Sequence, residues 1–329
     1  MFRATTYNDD DVLIQLQATL SFIIHDLEVL GPGSFSSTIS TPSSTCPAVF
    51  IIPTMADDTR TPLDHFNAVA EFYEKSTGGC TRELAERLVP LLNINNDSVV
   101  LDNACGTGIV TDVIMQKFNN GKGPVIHAVD GASKMVELVE ARFPDNDHVR
   151  TGVMPGESLK FPDETFTHSV TNLGFLFFDD AKKGASEIWR TLKPGGIAVV
   201  TNWEELGYLP VLWKLQREIR PKEEPFSVPI KPEWFKPSHT EEVLRSGGFE
   251  EVDLQEMVVH WGAESLEEVS SSIVQMFGPA VFKDWSDEDK RKAMDMVPSI
   301  LKDVTVSVNR NGQSCVGVTM KAIVAICKK

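Results

Sequence analysis

The sequence predicts a doubly wound α/β fold with a mostly parallel sheet, on two observations. Short apolar strand-like runs alternate with helical periods from Ser98 to Asn202, and the first of these runs ends in the glycine turn Asp102-Asn103-Ala104-Cys105-Gly106-Thr107-Gly108. Repeated strand–helix units imply parallel strands covered by helices on both faces.

In chain order, helical spacing predicts two leading helices around Phe66–Tyr73 and Arg82–Leu88. Strands follow at Ser98–Asn103, Val125–Asp130, His148–Val153, Thr167–Asn172 and Gly196–Asn202, with helices at Gly108–Phe118, Ser133–Phe143 and Ala181–Leu192. Lys193-Pro194-Gly195-Gly196 ends the last helix, because proline lacks a donor and glycine turns freely. Beyond Asn202, aromatic residues (Trp203, Tyr208, Trp213, Phe226, Trp234, Phe235) interrupted by prolines predict a lid. A helix over Thr240–Ser246 and strands at Glu251–His260 and Cys315–Cys327 complete seven strands, and the mostly helical Ser265–Val306 is expected to cap a substrate. The organisation expected is therefore a poorly structured extension over 1–54, with translation starting at Met55, a cofactor-binding core with leading helices over 55–202, and lid segments with the last two strands over 203–329.

Composition narrows the function. A formal charge of -16 over 329 residues argues against a phosphate-binding surface, so nucleic acid is not an expected partner. Five scattered cysteines, with no CxxC and no histidine pair beside them, predict a reducing compartment and no metal. The acidic Asn8-Asp9-Asp10-Asp11 is unlike a targeting presequence, and no apolar run approaches the roughly 20 residues of a membrane span. A cytoplasmic protein that does not act at a membrane is expected. The sequence sets no oligomeric state.

Ligands of open α/β sheets bind outside the carboxyl ends of the strands, which here carry Asp102 with the glycine turn, Asp130, Asn172 and Thr201-Asn202. Gly106 and Gly108 let backbone approach a ligand at a helix start, although many tight turns carry glycine for conformational reasons alone. Thr111 stands where the dinucleotide pattern has its third glycine. Asp130, 22 residues after Gly108, has the spacing of a residue that takes ribose hydroxyls, or of a plain helix cap. Asp130→Ala is expected to weaken cofactor binding and spare the fold.

Taken together, Val99–Gly108, Val129-Asp130-Gly131-Ala132-Ser133-Lys134-Met135, Asn172-Leu173-Gly174 and Leu192–Gly196 resemble the successive motifs of class I S-adenosylmethionine-dependent methyltransferases of the ubiquinone/menaquinone-biosynthesis type. Leu101–Gly106, the aromatic lid and Asn311-Gly312-Gln313 also resemble fungal secondary-metabolite enzymes, including gliotoxin-type thiol methyltransferases. The resemblance implies a Rossmann-like core with S-adenosylmethionine as cofactor. Asp102, Asn103, Ala104, Cys105, Gly106 and Gly108 would wrap its methionine half, Asp130 with Gly131 its ribose, and Met135 its adenine, while Asn172 would floor the site. Tyr73, in the run Glu71–Lys75, would reach the methionine carboxylate, or else simply pack. Relatives hold the adenine amino group with an acidic and a small residue after the third strand. This chain has Met154-Pro155-Gly156-Glu157, which leaves Met154, Gly156 or Glu157 for that task.

Methyl transfer needs alignment and desolvation rather than a protein nucleophile. His168 and His127 lie inside strands and are expected to pack. His239 and His260 are better placed, yet structural roles are expected for them also, and no catalytic base is assigned. The implied function is methylation of O, N or S in a small apolar or aromatic metabolite. C-methylation of a quinone-type ring, a non-catalytic regulator and a nicotinamide oxidoreductase are the alternatives.

Overall fold

The computed structural model describes residues 61–118, 122–310 and 312–329. The extension expected over 1–54, the start at Met55 and Asn311 lie outside the described residues.

The chain enters through three short helices, α1 (Pro62–Val69), α2 (Tyr73–Ser76) and α3 (Cys80–Leu88). Thr61 caps α1 in a reciprocal box: its hydroxyl accepts from Asp64 N at 3.2 Å, and the Asp64 carboxylate accepts from Thr61 N at 3.2 Å. The parallel sheet then forms from β1 (Val99–Asn103), β2 (Val125–Asp130), β3 (Val149–Val153), β4 (Phe166–Asn172) and β5 (Leu192–Glu205). Between them run α4 (Ile109–Met115), α5 (Ser133–Arg142) and α6 (Ala181–Thr191).

Alternation along the strands decides which core each residue joins. Val100, Val170 and Val199 pack with Leu84, Leu88 and Ile114 on one face. Their strand neighbours Leu101 and Val200 pack with Phe166, Ile188 and Leu244 on the other. The glycine-rich break expected between α6 and β5 is instead a bulge within β5. Pairing jumps from Phe166 opposite Leu192 to His168 opposite Ile197, and Gly195 takes φ +78°.

After β5 come α7 (Leu209–Ile219), α8 (Pro237–Ser246), β6 (Glu251–Ala263), α9 (Leu266–Val281), α10 (Asp287–Lys302), β7 (Thr305–Arg310) and β8 (Gln313–Lys328). The sheet order is β3-β2-β1-β4-β5-β8-β6, with β7 on β8. It is the doubly wound, mostly parallel, Rossmann-like sheet predicted, but with eight strands in place of seven and three rather than two after the lid. The additional strand, β7, overlaps the stretch read as helical only at Thr305 and Val306 and otherwise falls in the gap left before Cys315. β8 lies antiparallel between β5 and β6. Its residues 321–328 pair with β5, and its earlier residues 313–318 pair with β7. Because β6 already holds the opposite edge of Val316–Val318, β7 continues the β5 side beyond the end of that strand. The result is a β wall rising past the carboxyl edge of the parallel sheet, braced by α7, α9 and α10. Among the described residues no helix is long and apolar enough to cross a membrane.

Candidate functional site

The strand-end residues singled out in the sequence, Asp102, Asp130 and Asn172, lie at the carboxyl edge of the sheet, and the structure separates their tasks. Asp102 is almost wholly buried, and its Oδ2 accepts from Thr111 N at 3.1 Å and Thr111 Oγ1 at 2.7 Å. Burial pushes its carboxyl up to about 7 against the pull of those two bonds. Thr111, the departure from the third glycine, is therefore the group that satisfies Asp102. Asn103 points to the opposite face, fully buried, with neither Oδ1 nor Nδ2 partnered among the described residues.

Ala104, Gly106 and Gly108 have φ of +54°, +54° and +80°. A Cβ built on Gly106 meets nothing within 4 Å, so its turn borders open space that a ligand can enter. Gly108 differs from expectation: its Cβ would stand 3.0 Å from Val139 Cγ2, so it serves the seating of α4 on α5 rather than ligand approach. Cys105 is buried among Ala128, Val139, Phe143 and Val149, which holds its thiol well above the ordinary range and leaves it protonated.

Asp130 ties two strand ends together. Its Oδ2 accepts from Gly106 N at 2.9 Å and its Oδ1 from Ala132 N at 2.8 Å. The expectation that Asp130→Ala spares the fold is corrected here, since the substitution strands two backbone donors. Gly131 is covered by Leu63, whose Cδ2 would lie 2.8 Å from a Cβ. Met135 is 1% exposed, packed with Ala70, Ala132, Phe66 and Tyr73. Thus the leading helices close over the β2 end.

Of the three residues expected to replace the adenine-amino contact, two are engaged elsewhere. Met154 N donates to Asp130 O at 2.9 Å, and Glu157 Oε1 accepts from Asp179 N at 3.1 Å. Gly156 lies against Phe178 and the Asn103 amide. Asn172 accepts from Thr201 Oγ1 at 2.9 Å and donates to Thr81 O at 3.3 Å, joining β4, β5 and α3. Leu173, next along, is left-handed at φ +62°, a second strained non-glycine residue beside Ala104.

The four histidines weighed in the sequence pack or pair away from the cavity. His168 is buried with Nδ1 2.8 Å from Thr167 Oγ1, and His127 stands edge-on to Phe161 and Phe166; burial lowers both pKa values. His239 packs on Trp234 at 4.7 Å, and His260 Nδ1 lies 3.0 Å from Glu83 Oε1. None of the four lines the cavity described next.

Two features escaped the sequence. The first is Glu74, which accepts from Thr107 Oγ1 at 3.0 Å and pairs with Arg82 at 3.6 Å and with Arg142, fastening α2 to the glycine turn. These partners come from three separate elements, so no spacing could reveal them. The second is a cavity of about 240 Å³ between the sheet edge and the β wall. Tyr73, Thr81 and Leu173 form its floor, and Trp203, Tyr208, Phe226, Trp261 and Phe277 its sides. Among the described residues no Asp, Glu, Lys or Arg lines it, while His65 does. Of the lid aromatics expected there, Trp213, Trp234 and Phe235 lie elsewhere: Trp213 is 40% exposed and donates to Phe226 O at 2.7 Å, and Trp234 packs on His239.

Comparison with known proteins agrees with this geometry. Residues 101–200 match the family described as "Methyltransferase domain". Over 218 residues, 62% of this chain and 73% of the relative, the sequence is 25% identical to acetylaranotin bis-thiomethyltransferase of Aspergillus terreus. Over 139 residues, 41% of this chain and 58% of the relative, it is 30% identical to demethylmenaquinone methyltransferase of Thermotoga maritima. Among solved structures, phosphoethanolamine N-methyltransferase 2 of Haemonchus contortus is similar at a TM-score of 0.47 and 16% identity, covering 83% of this chain and 59% of that one. The methyltransferase domain falls on the very strands that carry the glycine turn, Asp130 and Asn172, and the chain is an S-adenosylmethionine-dependent methyltransferase.

Proposed function

We propose that this enzyme methylates an O, N or S atom of a small apolar or aromatic acceptor held in the 240 Å³ cavity. The observation that carries the reading is the position of that cavity. It is walled by aromatic side chains and floored by Tyr73, Thr81 and Leu173, neighbours of the strand-end residues. The relative named for thiol methylation supports a sulfur acceptor among the three atoms.

The residues present fit the cofactor. The open space beside Gly106 is a cradle that a Cβ would fill, and the buried Asn103 amide has polar atoms to spare. Gly106, Asn103 and Ala104 would hold the methionine half. Asp130 accepts one bond on each oxygen, which leaves each a lone pair for ribose hydroxyls. Tyr73 and Asn172 would border the transferred group, Met135 the adenine, and Met154 would act through its side chain alone. S-adenosylmethionine supplies the electrophilic methyl carbon on its sulfonium. The chain's own part is to align the acceptor and exclude water, and the apolar walls serve both ends.

Incubating the protein with methyl-labelled S-adenosylmethionine and small-molecule extracts, then resolving products by mass spectrometry, tests the reading. Label on O, N or S of an uncharged aromatic or apolar product is expected. Label on a ring carbon, on protein or on nucleic acid would overturn it, as would calorimetry in which NADH binds and S-adenosylhomocysteine does not.

A further inference from the structure

Resting on that reading of the site, we infer that the cavity selects an acceptor uncharged at neutral pH and that the Tyr208 hydroxyl, with Tyr73 and Cys80 also lining the space, docks its heteroatom.

Charge selection follows from what surrounds the space. Among the described residues no Asp, Glu, Lys or Arg lines the cavity, and the imidazole of His65 is the one basic side chain there, so an ion that enters loses hydration and meets no fixed opposite charge from a carboxylate, ammonium or guanidinium. The charges that act on Cys80 from behind are Glu83 and Arg310. They stand 3.7 Å apart, Glu83 is also held by Arg87 at 3.1 Å and His260 at 3.0 Å, and the carboxylate that acts on Tyr73, Asp130, is engaged by Gly106 N and Ala132 N, so each nearby charge already has a partner outside the cavity. The overall charge of -16 adds long-range repulsion of anions.

Heteroatom docking follows from how Tyr208 is held. It stands at the start of α7, with its ring 4.4 Å from Phe277 and 6.2 Å, edge-on, from Trp261. These contacts fix the ring without using the hydroxyl. Neither the Tyr208 nor the Tyr73 hydroxyl has a hydrogen-bond partner among the described residues, and both side chains line the cavity. Burial raises the pKa of both phenols and pushes the Cys80 thiol up to about 12, so all three stay neutral donors. An acceptor heteroatom gives a hydroxyl that faces the cavity the partner that no described residue supplies.

Three probes sharing one ring system separate these effects: naphthalene, 2-naphthol and 2-naphthoate, titrated at neutral pH with quenching of tryptophan emission as the readout. Trp203 and Trp261 line the space and report occupancy. The expected order is 2-naphthol tightest, naphthalene weaker, and 2-naphthoate weaker than 2-naphthol by at least about tenfold. Tyr208→Phe keeps the ring stacking. It should weaken 2-naphthol by about fivefold and leave naphthalene unchanged. Ala280→Trp, which fills the cavity, should abolish 2-naphthol binding while the circular dichroism spectrum stays that of the parent. Equal affinity for 2-naphthoate, no binding of 2-naphthol, an unchanged Tyr208→Phe affinity, or 2-naphthol binding that survives Ala280→Trp would each overturn the assignment. S-adenosylhomocysteine binding, measured separately by calorimetry, tells failure of this selectivity from failure of the methyl-transfer reading.

Discussion

Replacing Gly106 and Gly108 in turn by alanine separates a ligand cradle from a packing contact. At Gly106 the added methyl meets nothing within 4 Å, so the free protein bears only the strain of an alanine at φ +54°, about 1 kcal/mol. For a domain of this size that corresponds to a fall in Tm of about 2–4 °C. In the complex, the same methyl occupies the space the cofactor would enter. A ligand that retreats from one backbone hydrogen bond loses roughly 1 kcal/mol or more, so S-adenosylhomocysteine affinity should fall about tenfold. At Gly108 the methyl stands 3.0 Å from Val139 Cγ2 and shares a left-handed φ of +80°. Strain and overpacking together cost roughly 2–4 kcal/mol, so Gly108→Ala should lower Tm more than Gly106→Ala. Calorimetric titration and thermal denaturation of both variants decide the matter. Parental affinity in Gly106→Ala, or a smaller loss of stability in Gly108→Ala, would refute the division of labour.

Three further outcomes are expected. Asp130→Asn replaces an acceptor oxygen with a donor facing Gly106 N or Ala132 N, and should lower both Tm and S-adenosylhomocysteine affinity; loss of affinity with an unchanged melt would remove Asp130 from the framework. Asp102 has a folded pKa of about 7, raised from 3.8, so the native state holds its proton more tightly. Its contribution is complete below the unfolded value and fades as pH rises toward and through about 7, so Asp102→Asn should flatten that decline; urea melts at about pH 5 and about pH 8 with parallel slopes in both proteins would contradict it. Arg310 donates to Gly78 O at 2.8 Å and to His260 O, and pairs with Glu83. Arg310→Met should cost roughly 2–4 kcal/mol and expose the Gly78-Gly79 linkage to limited proteolysis; unchanged resistance would show that the leading helices do not depend on this anchor.

The core was legible because its strands are short, buried on both faces and closed by turn residues. Val99–Asn103 and Val125–Asp130 needed nothing beyond local pattern. The strand ends also placed Asp102, Asp130 and Asn172 together, since topology alone brings those ends to one edge. What sequence could not supply was the choice of partner. Thr111 read as a defect in a glycine pattern until its hydroxyl was found on Asp102. β7 was hidden because Thr305–Arg310 is a short edge strand whose outward residues carry little signal beside the long helix α10. The cavity was illegible for a further reason: Tyr73, Trp203, Trp261 and Phe277 come from four distant elements, and only packing makes them neighbours.

The placement of β8 governs the order of assembly. It follows every other strand in the described chain, yet it sits between β5 and β6 and supplies the pairing for both, as well as for β7. Until residues 313–328 arrive, β5 presents an unpaired edge, β6 has no neighbour in the sheet, and β7 lacks its hairpin partner. Such edges recruit other chains, and pairing across long sequence separations is slow. During synthesis those edges are thus most exposed to misassembly just before β8 slides into place, and the same event that buries them also raises one wall of the 240 Å³ cavity.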